Sequence, residues 1–444
     1  MSARRLLVLC YFYPPLAGGG VHRVLGFTRH LPAHGWNCTV VCAGTEDYWV
    51  VDETLLAHVP AGTEVVRVPG GSALSAWLKL RRGDRGRRPG RLYAGLRALS
   101  DWLLVPDPYA GWAGRAAAAT ARLLAPKPGG IRSGAFDAML SSSPPDSVHL
   151  AALRLRRRFA LPWVVDFRDP WMGLWLRRPP TTWHRARQVA LEREVLLGAD
   201  VVLAASETHA RMLRERRSPQ AFDAGRVLHL PNGYEPAATA APPEPSREPA
   251  AEADSRHFTL VFTGTLRLLA DTEVFLAALH EVLARRPEAR RWLRARLVGP
   301  YESDYADRAV ALGLTGVVEF TGSLPHAEAR ALQRDADLLL LWKVRGAPAM
   351  VPGKLYEYLD AGRPLVALLD PDDEAGRLVR EAGGTLVRPG DRAALADEIE
   401  RRYAAWREGE RPASRRPAWL EEHTRERLAA RLAGVLDGLV RRTA

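Results

Sequence analysis

Short apolar runs alternate with longer amphipathic stretches along most of the chain. Short runs bounded by turn residues predict buried strands, whereas apolar positions that recur every three or four residues predict helices. In the first half the predicted strands are Leu6–Cys10, Cys38–Cys42, Val65–Val68, Ala138–Ser141, Trp163–Asp166 and Val201–Ala204. The predicted helices are Val21–His34, Ser147–Phe159 and Thr182–Leu197. Strands separated by helices of this length are typical of βαβ units, so we predict a parallel sheet.

The alternation is interrupted at residues 236–249, where five prolines lie among alanines and glutamates, as in a linker or an exposed loop. It then resumes with predicted strands at Phe258–Phe262, Arg296–Val298, Val317–Phe320, Leu338–Leu341, Pro364–Leu368 and Thr385–Val387. The predicted helices of this half are Asp271–Arg285, Tyr305–Leu312 and a long amphipathic helix at Pro417–Arg442. We therefore predict two α/β domains, 1–235 and 257–415, with a linker at 236–256 and a C-terminal helix at 416–444.

The composition fits a globular protein of two domains. A chain of 444 residues exceeds one ordinary domain, and 47% hydrophobic with 26% charged residues excludes a disordered or fibrous protein. The longest apolar runs, such as Leu338–Trp342, fall far short of the roughly 20 residues that a membrane span needs. Three cysteines, Cys10, Cys38 and Cys42, cannot staple a chain of this length and indicate a reducing, cytoplasmic compartment.

The first residues fit two interpretations. Arg4 and Arg5 followed by the apolar stretch Leu6–Tyr13 could begin a signal peptide. That stretch ends in two prolines and a glycine cluster, however, and no small-residue cleavage site follows. We therefore favour a buried first strand that runs into a loop.

The net charge of +12 predicts attraction to phosphate, carried by a nucleotide, an anionic lipid or a nucleic acid. No zinc-finger, RRM or helix-turn-helix pattern is present, so we do not expect nucleic acid as a partner. The segment Arg81–Arg91 carries six arginines in eleven residues. It is either a solvated loop or a surface that contacts an anionic membrane or a phosphorylated acceptor at the inner face of the membrane.

A glycine cluster follows the first predicted strand and opens the first predicted helix. Gly18, Gly19 and Gly20 allow backbone amides to approach a ligand closely, and a helix N-terminus favours negative charge. The spacing is not that of a dinucleotide fingerprint, and no acidic residue follows at the ribose position. A plain tight turn is the alternative interpretation.

Charged and hydroxyl side chains gather where two predicted strands of the first half end. Asp166, Arg168 and Asp169 follow one strand, and Ser143 follows another. Because ligands of open α/β sheets bind beyond the carboxyl ends of the strands, these residues are candidates for one site. A local Arg–Asp network that holds the loop would give the same pattern.

The second half contains a candidate phosphate site. Gly264 and Arg267 follow its first strand, and a Pro-Gly turn starts a helix at about Lys354 with Glu357 one turn in. A helix N-terminus with a lysine suits a diphosphate, and a carboxylate can accept from ribose hydroxyls. The chain has only four lysines, two of which, Lys343 and Lys354, fall within twelve residues here. An ordinary surface lysine is the alternative for Lys354.

These motifs in this order resemble the GT-B nucleotide-sugar glycosyltransferases, most closely glycosyltransferase family 4. The resembling segments are Pro14–Val24, Asp166–Trp171, Pro231–Tyr234, Phe262–Leu266, Val298–Pro300, Phe320–Leu324 and Gly353–Pro364. The resemblance implies two Rossmann-like domains that face each other across a cleft. The first would bind the acceptor and the second the donor, with the C-terminal helix packing back on the first domain.

The resemblance also implies roles for individual residues. It assigns catalysis to Asp169, Arg267 and Lys354, where the two cations hold the donor diphosphate and Asp169 acts as acid–base or orients the acceptor. The implied donor-binding residues are Gly18, Gly19, Gly20, Gly264, Lys343, Gly353, Leu355 and Glu357. The implied acceptor-side residues are Asp166, Arg168 and Ser143. The implied reaction retains anomeric configuration, needs neither metal nor cofactor, and uses a nucleotide-sugar donor, for which we expect UDP, with an unknown glycan, lipid-linked or natural-product acceptor.

Two departures from the family pattern keep other functions open. Glu357 matches the second acid of the family's E-x7-E motif, but the first position is Ala349, and no acid occurs from Leu338 to Tyr356. No lysine follows Arg267 within a few residues, so Lys343 or Arg345 would have to replace it. A noncatalytic phosphate- or nucleotide-binding protein and a sugar-nucleotide epimerase of the same fold are the alternatives.

Overall fold

The structure of the protein is a computed structural model. It describes residues 3–45, 51–70, 99, 102–125, 136–173, 179–215, 224–236, 256–266, 269–410 and 415–443. The chain divides into two compact units. The first unit holds the described residues up to Gly233 and those from Glu422 onward, and the second runs from Tyr234 to Glu421. The arginine-rich segment Arg81–Arg91 and the predicted linker, apart from its two end residues, lie outside the described residues.

Two sheets of parallel strands form the frames of the two units. The first sheet has the order β3-β2-β1-β4-β5-β6-β7, and the second has the order β10-β9-β8-β11-β12-β13. The strands are β1 (Arg4–Cys10), β2 (Trp36–Ala43), β3 (Glu64–Val68), β4 (Ala138–Ser143), β5 (Trp163–Phe167), β6 (Val201–Ala204), β7 (Val227–His229), β8 (Phe258–Thr263), β9 (Leu293–Val298), β10 (Val318–Gly322), β11 (Leu338–Trp342), β12 (Leu365–Leu368) and β13 (Thr385–Val387).

Helices connect the strands and cover the sheets. They are α1 (Val21–His30), α2 (Ala110–Leu124), α3 (Ser147–Phe159), α4 (Thr182–Gly198), α5 (Glu207–Glu215), α6 (Asp271–Arg285), α7 (Ala289–Trp292), α8 (Ser303–Ala311), α9 (His326–Asp335), α10 (Gly353–Ala361), α11 (Glu374–Glu381), α12 (Arg392–Arg407) and α13 (Arg425–Thr443). Central strands such as β4, β5 and β11 are buried at every position, as expected for strands covered by helices on both faces.

The helices of the first unit lie on opposite faces of its sheet. The β1–α1–β2 and β4–α3–β5 connections run in opposite directions along the sheet, and both crossovers are expected to be right-handed. In agreement, α13 packs on α1, whereas α3 packs against α2 and α4. Leu428, Leu432 and Leu436 of α13 are buried in the core of the first unit. The C-terminal helix is therefore a structural part of this unit.

The predicted α/β architecture with parallel sheets is confirmed, and every predicted strand has a counterpart among the described strands. The hydrophobic pattern missed β7, which has three residues, and also missed helices α2, α5, α7, α9, α11 and α12. Helix α12 shows one cause, because its apolar and polar residues are spread around the helix and give little contrast between its faces.

The predicted continuous helix Pro417–Arg442 is wrong, because it consists of two elements. A 3₁₀ helix covers Ala418–His423, and α13 begins at Arg425. Between them Thr424 acts as an N-cap, since its Oγ1 accepts from the amide of Arg427 at 3.4 Å. A threonine N-cap stabilises the start of a new helix in preference to a continuous one.

Candidate functional site

A buried ion pair lies at the carboxyl end of β5. Asp166 of β5 faces Ser142 of β4 across the sheet, and Ser142 donates its hydroxyl to the carboxylate at 2.8 Å. Arg23 of α1 contacts both carboxylate oxygens, with its Nη2 at 2.7 Å from Oδ1 and its Nε at 3.0 Å from Oδ2. The side chains of Arg23 and Asp166 are 4% and 0% exposed.

The same arginine fixes the segment that leads out of the first unit. Arg23 donates to the carbonyl oxygens of Leu230 at 2.8 Å and Pro231 at 2.7 Å. The guanidinium and the Asp166 carboxylate thus satisfy each other together with neighbouring groups of the fold. This is the internal Arg–Asp network that the sequence left open as an alternative to an acceptor contact by Asp166.

Arg168 binds backbone carbonyls instead of a carboxylate. Its Nε donates to the carbonyl of Ser143 at 2.6 Å, its Nη2 donates to Pro144 at 3.1 Å, and its Nη1 donates to Gly20. Burial lowers the pKa of Arg168, while the charges of Asp169 and Asp166 act in the opposite direction. Arg168 therefore ties the glycine cluster to the end of β4.

The glycines of this cluster have different surroundings. Gly18 has a φ of 110°, which favours glycine, and its carbonyl accepts from the amide of Val21 at 3.1 Å. A Cβ atom added to Gly20 would lie 2.4 Å from Nη1 of Arg168, so no side chain fits there without displacing the guanidinium. Gly19, in contrast, has no atom within 4 Å of such a Cβ. Gly19 thus borders open space, whereas at Gly20 the contact with Arg168 requires glycine.

Asp169 and Ser143 lie beside this cluster. Burial raises the pKa of Asp169, and the cations Arg168 and Arg23 oppose that shift. A carboxyl group with a raised pKa is suited to proton transfer near neutral pH. Ser143 Oγ is buried and has no hydrogen-bond partner among the described residues. These two side chains remain candidates to act on an acceptor.

In the second unit two glycines bring the loops after β8 and β9 together. Gly264 and Gly299 have φ angles of 124° and 132°, and the amide of Gly264 donates to the carbonyl of Val298 at 2.8 Å. A Cβ atom on Gly299 would lie 2.1 Å from the carbonyl oxygen of Gly264. A Cβ atom on Gly264 would lie 3.3 Å from Nζ of Lys354. Both positions therefore require glycine, and Gly264 leaves room for the lysine.

Lys354 is the second residue of α10, and its charge has little compensation. Its Nζ lies 3.4 Å from the centre of the Phe262 ring, and no hydrogen bond or ion pair joins it to another described residue. Burial lowers the pKa of Lys354 well below its usual range, and Glu357 opposes the shift only through its charge. A phosphate group here would therefore gain a cation that the protein itself does not neutralise.

The first turn of α10 adds to this positive potential. Its N-cap is Pro352, whose side chain cannot cap the helix, and the turn contains no acidic residue. Gly353 is exposed, whereas Leu355 is fully buried and its amide donates to the carbonyl of Pro352 at 3.0 Å. Gly353 can thus offer backbone to a ligand, and the Leu355 side chain serves packing.

Glu357 lies one turn further along α10 and is held on both carboxylate oxygens. His326 Nε2 lies 3.0 Å from Oε1, and Gln333 donates to Oε2 at 3.3 Å. Gln333 also donates to the hydroxyl of Thr263 at the end of β8, at 2.9 Å. The Glu357 side chain is 12% exposed. Sequence patterns gave no sign of His326 or Gln333, because neither lies within a recognisable motif.

Lys343 differs from Lys354 because its ammonium is fully coordinated. It donates to the carbonyls of Ala347 at 2.8 Å and Met350 at 2.7 Å, and it forms an ion pair with Asp373 at 3.0 Å. Burial lowers its pKa, and Asp373 opposes that shift. Lys343 therefore anchors the loop that leads to α10. The alternative cation, Arg345, is similarly bound to Asp271.

A cavity of about 330 Å³ lies beside this loop, where β11, β12 and β13 end. Its charged lining residues are Lys343, Arg345, Arg388, Asp370 and Asp373. Arg267 lies outside the described residues, so its expected contact with the diphosphate stays a prediction. Among the described residues no group of three or more His, Cys, Asp and Glu side chains could hold a metal ion, and no helix is both long and apolar enough to cross a membrane.

Comparison with known protein families gives a match in each unit. The glycosyl transferase 4-like domain matches residues 18–233, and the glycosyl transferases group 1 family matches residues 257–404. The comparison with curated proteins gives no match.

Solved structures of low sequence identity share the fold over the whole chain. Anabaena HepE in complex with UDP and glucose is 15% identical with a TM-score of 0.61, and covers 98% of this chain and 100% of its own. WaaG, a glycosyltransferase involved in lipopolysaccharide biosynthesis, is 15% identical with a TM-score of 0.57 and the same coverages. A putative UDP-N-acetylglucosamine 2-epimerase from Listeria monocytogenes is 12% identical with a TM-score of 0.54, covering 99% of this chain and 97% of its own.

The family matches cover both units, and each unit has the parallel sheet and interleaved helices of a Rossmann-like domain. The chain therefore belongs to the glycosyltransferases of the GT-B fold, group 1 and family 4-like, which use nucleotide sugars as donors.

Proposed function

We propose that this chain transfers a sugar from a UDP-sugar to an acceptor and that Lys354 stabilises the departing diphosphate. The observation that carries the proposal is the Lys354 ammonium, which lies half-buried beside Phe262 and Gly264 at the start of α10 without a hydrogen bond or ion pair to an anion among the described residues. The complex of Anabaena HepE with UDP and glucose supports the choice of UDP.

Cleavage of the sugar–phosphate bond leaves negative charge on the diphosphate. A fixed cation and the N-terminus of a helix stabilise such charge most when they are in place before it develops. Lys354 and the uncapped first turn of α10 meet this condition. We propose that they act without a metal ion, together with Arg267.

We propose that Glu357 binds the ribose hydroxyls of the donor. His326 and Gln333 each contact one carboxylate oxygen of Glu357 and thereby orient the group. An ionised carboxylate accepts hydrogen bonds from hydroxyl donors such as those of ribose. The buried Ala349 offers no carboxylate at the first position of the acidic motif, so the donor sugar must be held by other groups.

For the first unit we propose a role on the acceptor side. The raised pKa of Asp169 supports proton exchange with an acceptor hydroxyl, and the unpartnered hydroxyl of Ser143 supports a contact nearby. We further propose that the reaction retains anomeric configuration and that the acceptor is a glycan, a lipid-linked sugar or a natural product. A cytoplasmic enzyme that contacts the membrane peripherally fits all three acceptors.

Thermal shift with a panel of UDP-, GDP- and TDP-sugars tests the donor site. A ligand at 100 times its dissociation constant stabilises a protein by about 2.7 kcal/mol. We expect UDP-sugars to raise the melting temperature of the wild type and of Lys354→Arg, but much less that of Lys354→Met. An equal shift in all three proteins would exclude Lys354 from the donor site.

Incubation with the same donors in the absence of an acceptor distinguishes a glycosyltransferase from an epimerase and from a noncatalytic nucleotide-binding protein. A transferase releases UDP slowly by hydrolysis and rapidly when an acceptor is supplied, and it leaves the sugar configuration of unreacted donor intact. Isomerised UDP-sugar would identify an epimerase instead. Binding without turnover across a broad acceptor panel would identify a noncatalytic nucleotide-binding protein.

A further inference from the structure

Two helices of the second unit meet through polar side chains beside the proposed ribose site. On α9, His326, Arg330 and Gln333 are spaced by four and three residues, so they share one face of the helix. On α10, Glu357 and Asp360 are three residues apart and share a face in the same way. The two helices pack against each other, and these two faces are in contact.

Arg330 is the buried cation of this interface between the helices. Its Nη1 donates to the side-chain oxygen of Gln333 at 3.1 Å and to the backbone carbonyl of Glu357 at 2.8 Å. Its Nη2 donates to the carboxylate of Asp360. One guanidinium thus holds a side chain of α9 and two groups of α10, which requires the fixed fork of donors that arginine has and lysine lacks.

The same guanidinium determines which way the Gln333 amide points. An arginine has donors only, so the Gln333 atom that it contacts is the oxygen, and the NH2 group lies on the other side. That NH2 group donates to Thr263 Oγ1 at 2.9 Å and to Glu357 Oε2 at 3.3 Å. A reversed amide would place donors against donors at Arg330 and acceptors against acceptors at Glu357. Arg330 therefore stabilises the orientation in which Gln333 holds the carboxylate.

Burial makes this orientation depend on Arg330. Gln333 is 1% exposed, so loss of the guanidinium would leave its side-chain oxygen without a donor. The amide would then shift, and Glu357 would lose part of the support on its Oε2. A carboxylate that is already fixed loses less conformational entropy when it binds a ligand than a mobile one does.

We propose that Arg330 is a positioning residue for ribose recognition, and that through Gln333 it makes the second unit select nucleotides with free ribose hydroxyls. The proposal rests on the proposed contact between Glu357 and the ribose. Arg330 itself does not touch the nucleotide, because its donors are directed to Gln333, Asp360 and the backbone of α10.

Calorimetric titration of the full chain with UDP and with 2′,3′-dideoxy-UDP tests the proposal. The ratio of the two dissociation constants reports the ribose hydroxyls alone, since the base and the diphosphate are the same in both compounds. The first variant is Arg330→Met, which leaves Asp360 paired with Arg416 at 3.2 Å. Its control is Arg416→Met, which removes the other cation beside Asp360, changes the net charge equally and leaves the contact between Arg330 and Gln333 in place.

A second variant keeps the shape of the cluster and the charge of Arg330. Gln333→Glu still presents an oxygen to Arg330, but it places a carboxylate oxygen instead of the amide NH2 against Glu357. Two carboxylates at this distance repel each other, so Glu357 moves away or one of the two groups takes up a proton. Gln333→Glu therefore tests the contact independently of the stability of Arg330→Met.

We expect the wild type to bind UDP about ten- to hundredfold more tightly than the dideoxy compound, which lacks both donors to Glu357. Arg330→Met should lower this ratio by roughly three- to tenfold, the range of one neutral hydrogen bond, and Gln333→Glu should lower it at least as much. In Arg330→Met the affinity for the dideoxy compound should change much less than the affinity for UDP. Arg416→Met should keep the wild-type ratio.

The outcomes separate this inference from the proposed function. Equal affinity of the wild type for both nucleotides, or an unchanged ratio in Glu357→Ala, would exclude ribose recognition by Glu357 and with it the role of Arg330. If Glu357→Ala abolishes the selectivity whereas every folded variant of Arg330 or Gln333 keeps it, the proposed function stands and the role of Arg330 is wrong. An equal loss of selectivity in Arg416→Met would reduce the effect to the charge beside Asp360 and would also overturn the inference.

Discussion

The carboxyl ends of the strands carry buried charges in both units, but the two clusters differ in how those charges are satisfied. In the first unit, Asp166 and Arg23 contact each other, and each has further hydrogen bonds to its surroundings. In the second unit, Lys354 lies half-buried over an aromatic ring without a contacting anion among the described residues. A charge that the fold satisfies holds the fold together, whereas an unsatisfied one is available to a ligand.

The same contrast separates the two lysines of the second unit. Lys343 and Lys354 are equally unusual in an arginine-rich chain, and burial lowers the pKa of both. Lys343 nevertheless has two carbonyls and Asp373 as partners. Low pKa therefore does not distinguish the two lysines, whereas their hydrogen bonds and ion pairs to the described residues do.

Removing a charge from the Arg23–Asp166 pair of the first unit should have the largest effect, and that effect should be on stability. Asp166→Asn leaves the Arg23 guanidinium buried without a counter-charge, which typically costs about 3–5 kcal/mol. We expect the free energy of unfolding of the first unit to fall by that amount in urea titrations. The exposed Glu215→Gln serves as control and should change it by less than about 0.5 kcal/mol. A loss below about 1 kcal/mol for Asp166→Asn would show that the pair is not structural.

Removing the charge of Lys354 in the second unit should affect catalysis instead of stability. Lys354→Met should lower kcat and kcat/KM together by about 10²–10³-fold, because the interaction is strongest with the developing diphosphate charge. Its melting temperature should not fall, since the half-buried charge that is removed has no hydrogen bond or ion pair among the described residues. Lys343→Met should instead keep its kinetic constants and melt at a lower temperature, because it removes the cation that pairs with Asp373. Steady-state kinetics and thermal melts of both variants measure these effects. A catalytic loss in Lys343→Met with a stability loss in Lys354→Met would contradict the contrast between the two lysines.

A smaller effect is expected at Glu357. Glu357→Ala removes a charge-assisted acceptor worth about 1.5–3 kcal/mol, so UDP affinity should fall by roughly ten- to hundredfold. Calorimetric titration with UDP measures the loss. Gln333→Leu keeps the carboxylate and removes one contact to it, along with hydrogen bonds to Thr263 and Arg330, so the loss of UDP affinity should be smaller. Unchanged affinity in a folded Glu357→Ala protein would remove the ribose role.

The smallest signal is the proton that binds with the nucleotide. Burial lowers the pKa of free Lys354, and a bound diphosphate should raise it again. Between the two pKa values binding takes up protons, so UDP affinity should fall as pH rises through that window. Titrations in buffers of different ionisation enthalpy should show an uptake of up to about one proton. Lys354→Arg stays charged throughout and should show none from this site, whereas equal uptake in both proteins would place the proton elsewhere.

The sequence was sufficient for the fold because strands buried on both faces read as uninterrupted apolar runs, as in Leu338–Trp342. It also pointed to Gly264, Lys354 and Glu357, since a turn, a helix start and a strand end are local signals. The sequence could not show that Lys343 has hydrogen-bond and ion-pair partners whereas Lys354 has none among the described residues. It also did not point to His326, Gln333 and Asp373, because their contacts join residues far apart in the chain. Arg168 was expected beside an acceptor, whereas its position on three carbonyls depends on β1, β4 and β5 meeting in one sheet.

The inclusion of α13 in the first unit has a consequence for how the chain folds during its synthesis. Residue 422 follows residue 233 by 189 positions, and the described residues of the second unit lie between them. At typical rates of translation the ribosome needs roughly ten to forty seconds for this interval. During this interval α1 has no contact with Leu428, Leu432 and Leu436, because these residues have not yet been synthesised. They complete the hydrophobic core on the face of the sheet that α1 covers. The second unit can therefore finish folding first, while the earlier-made unit waits with an apolar face that chaperones can bind.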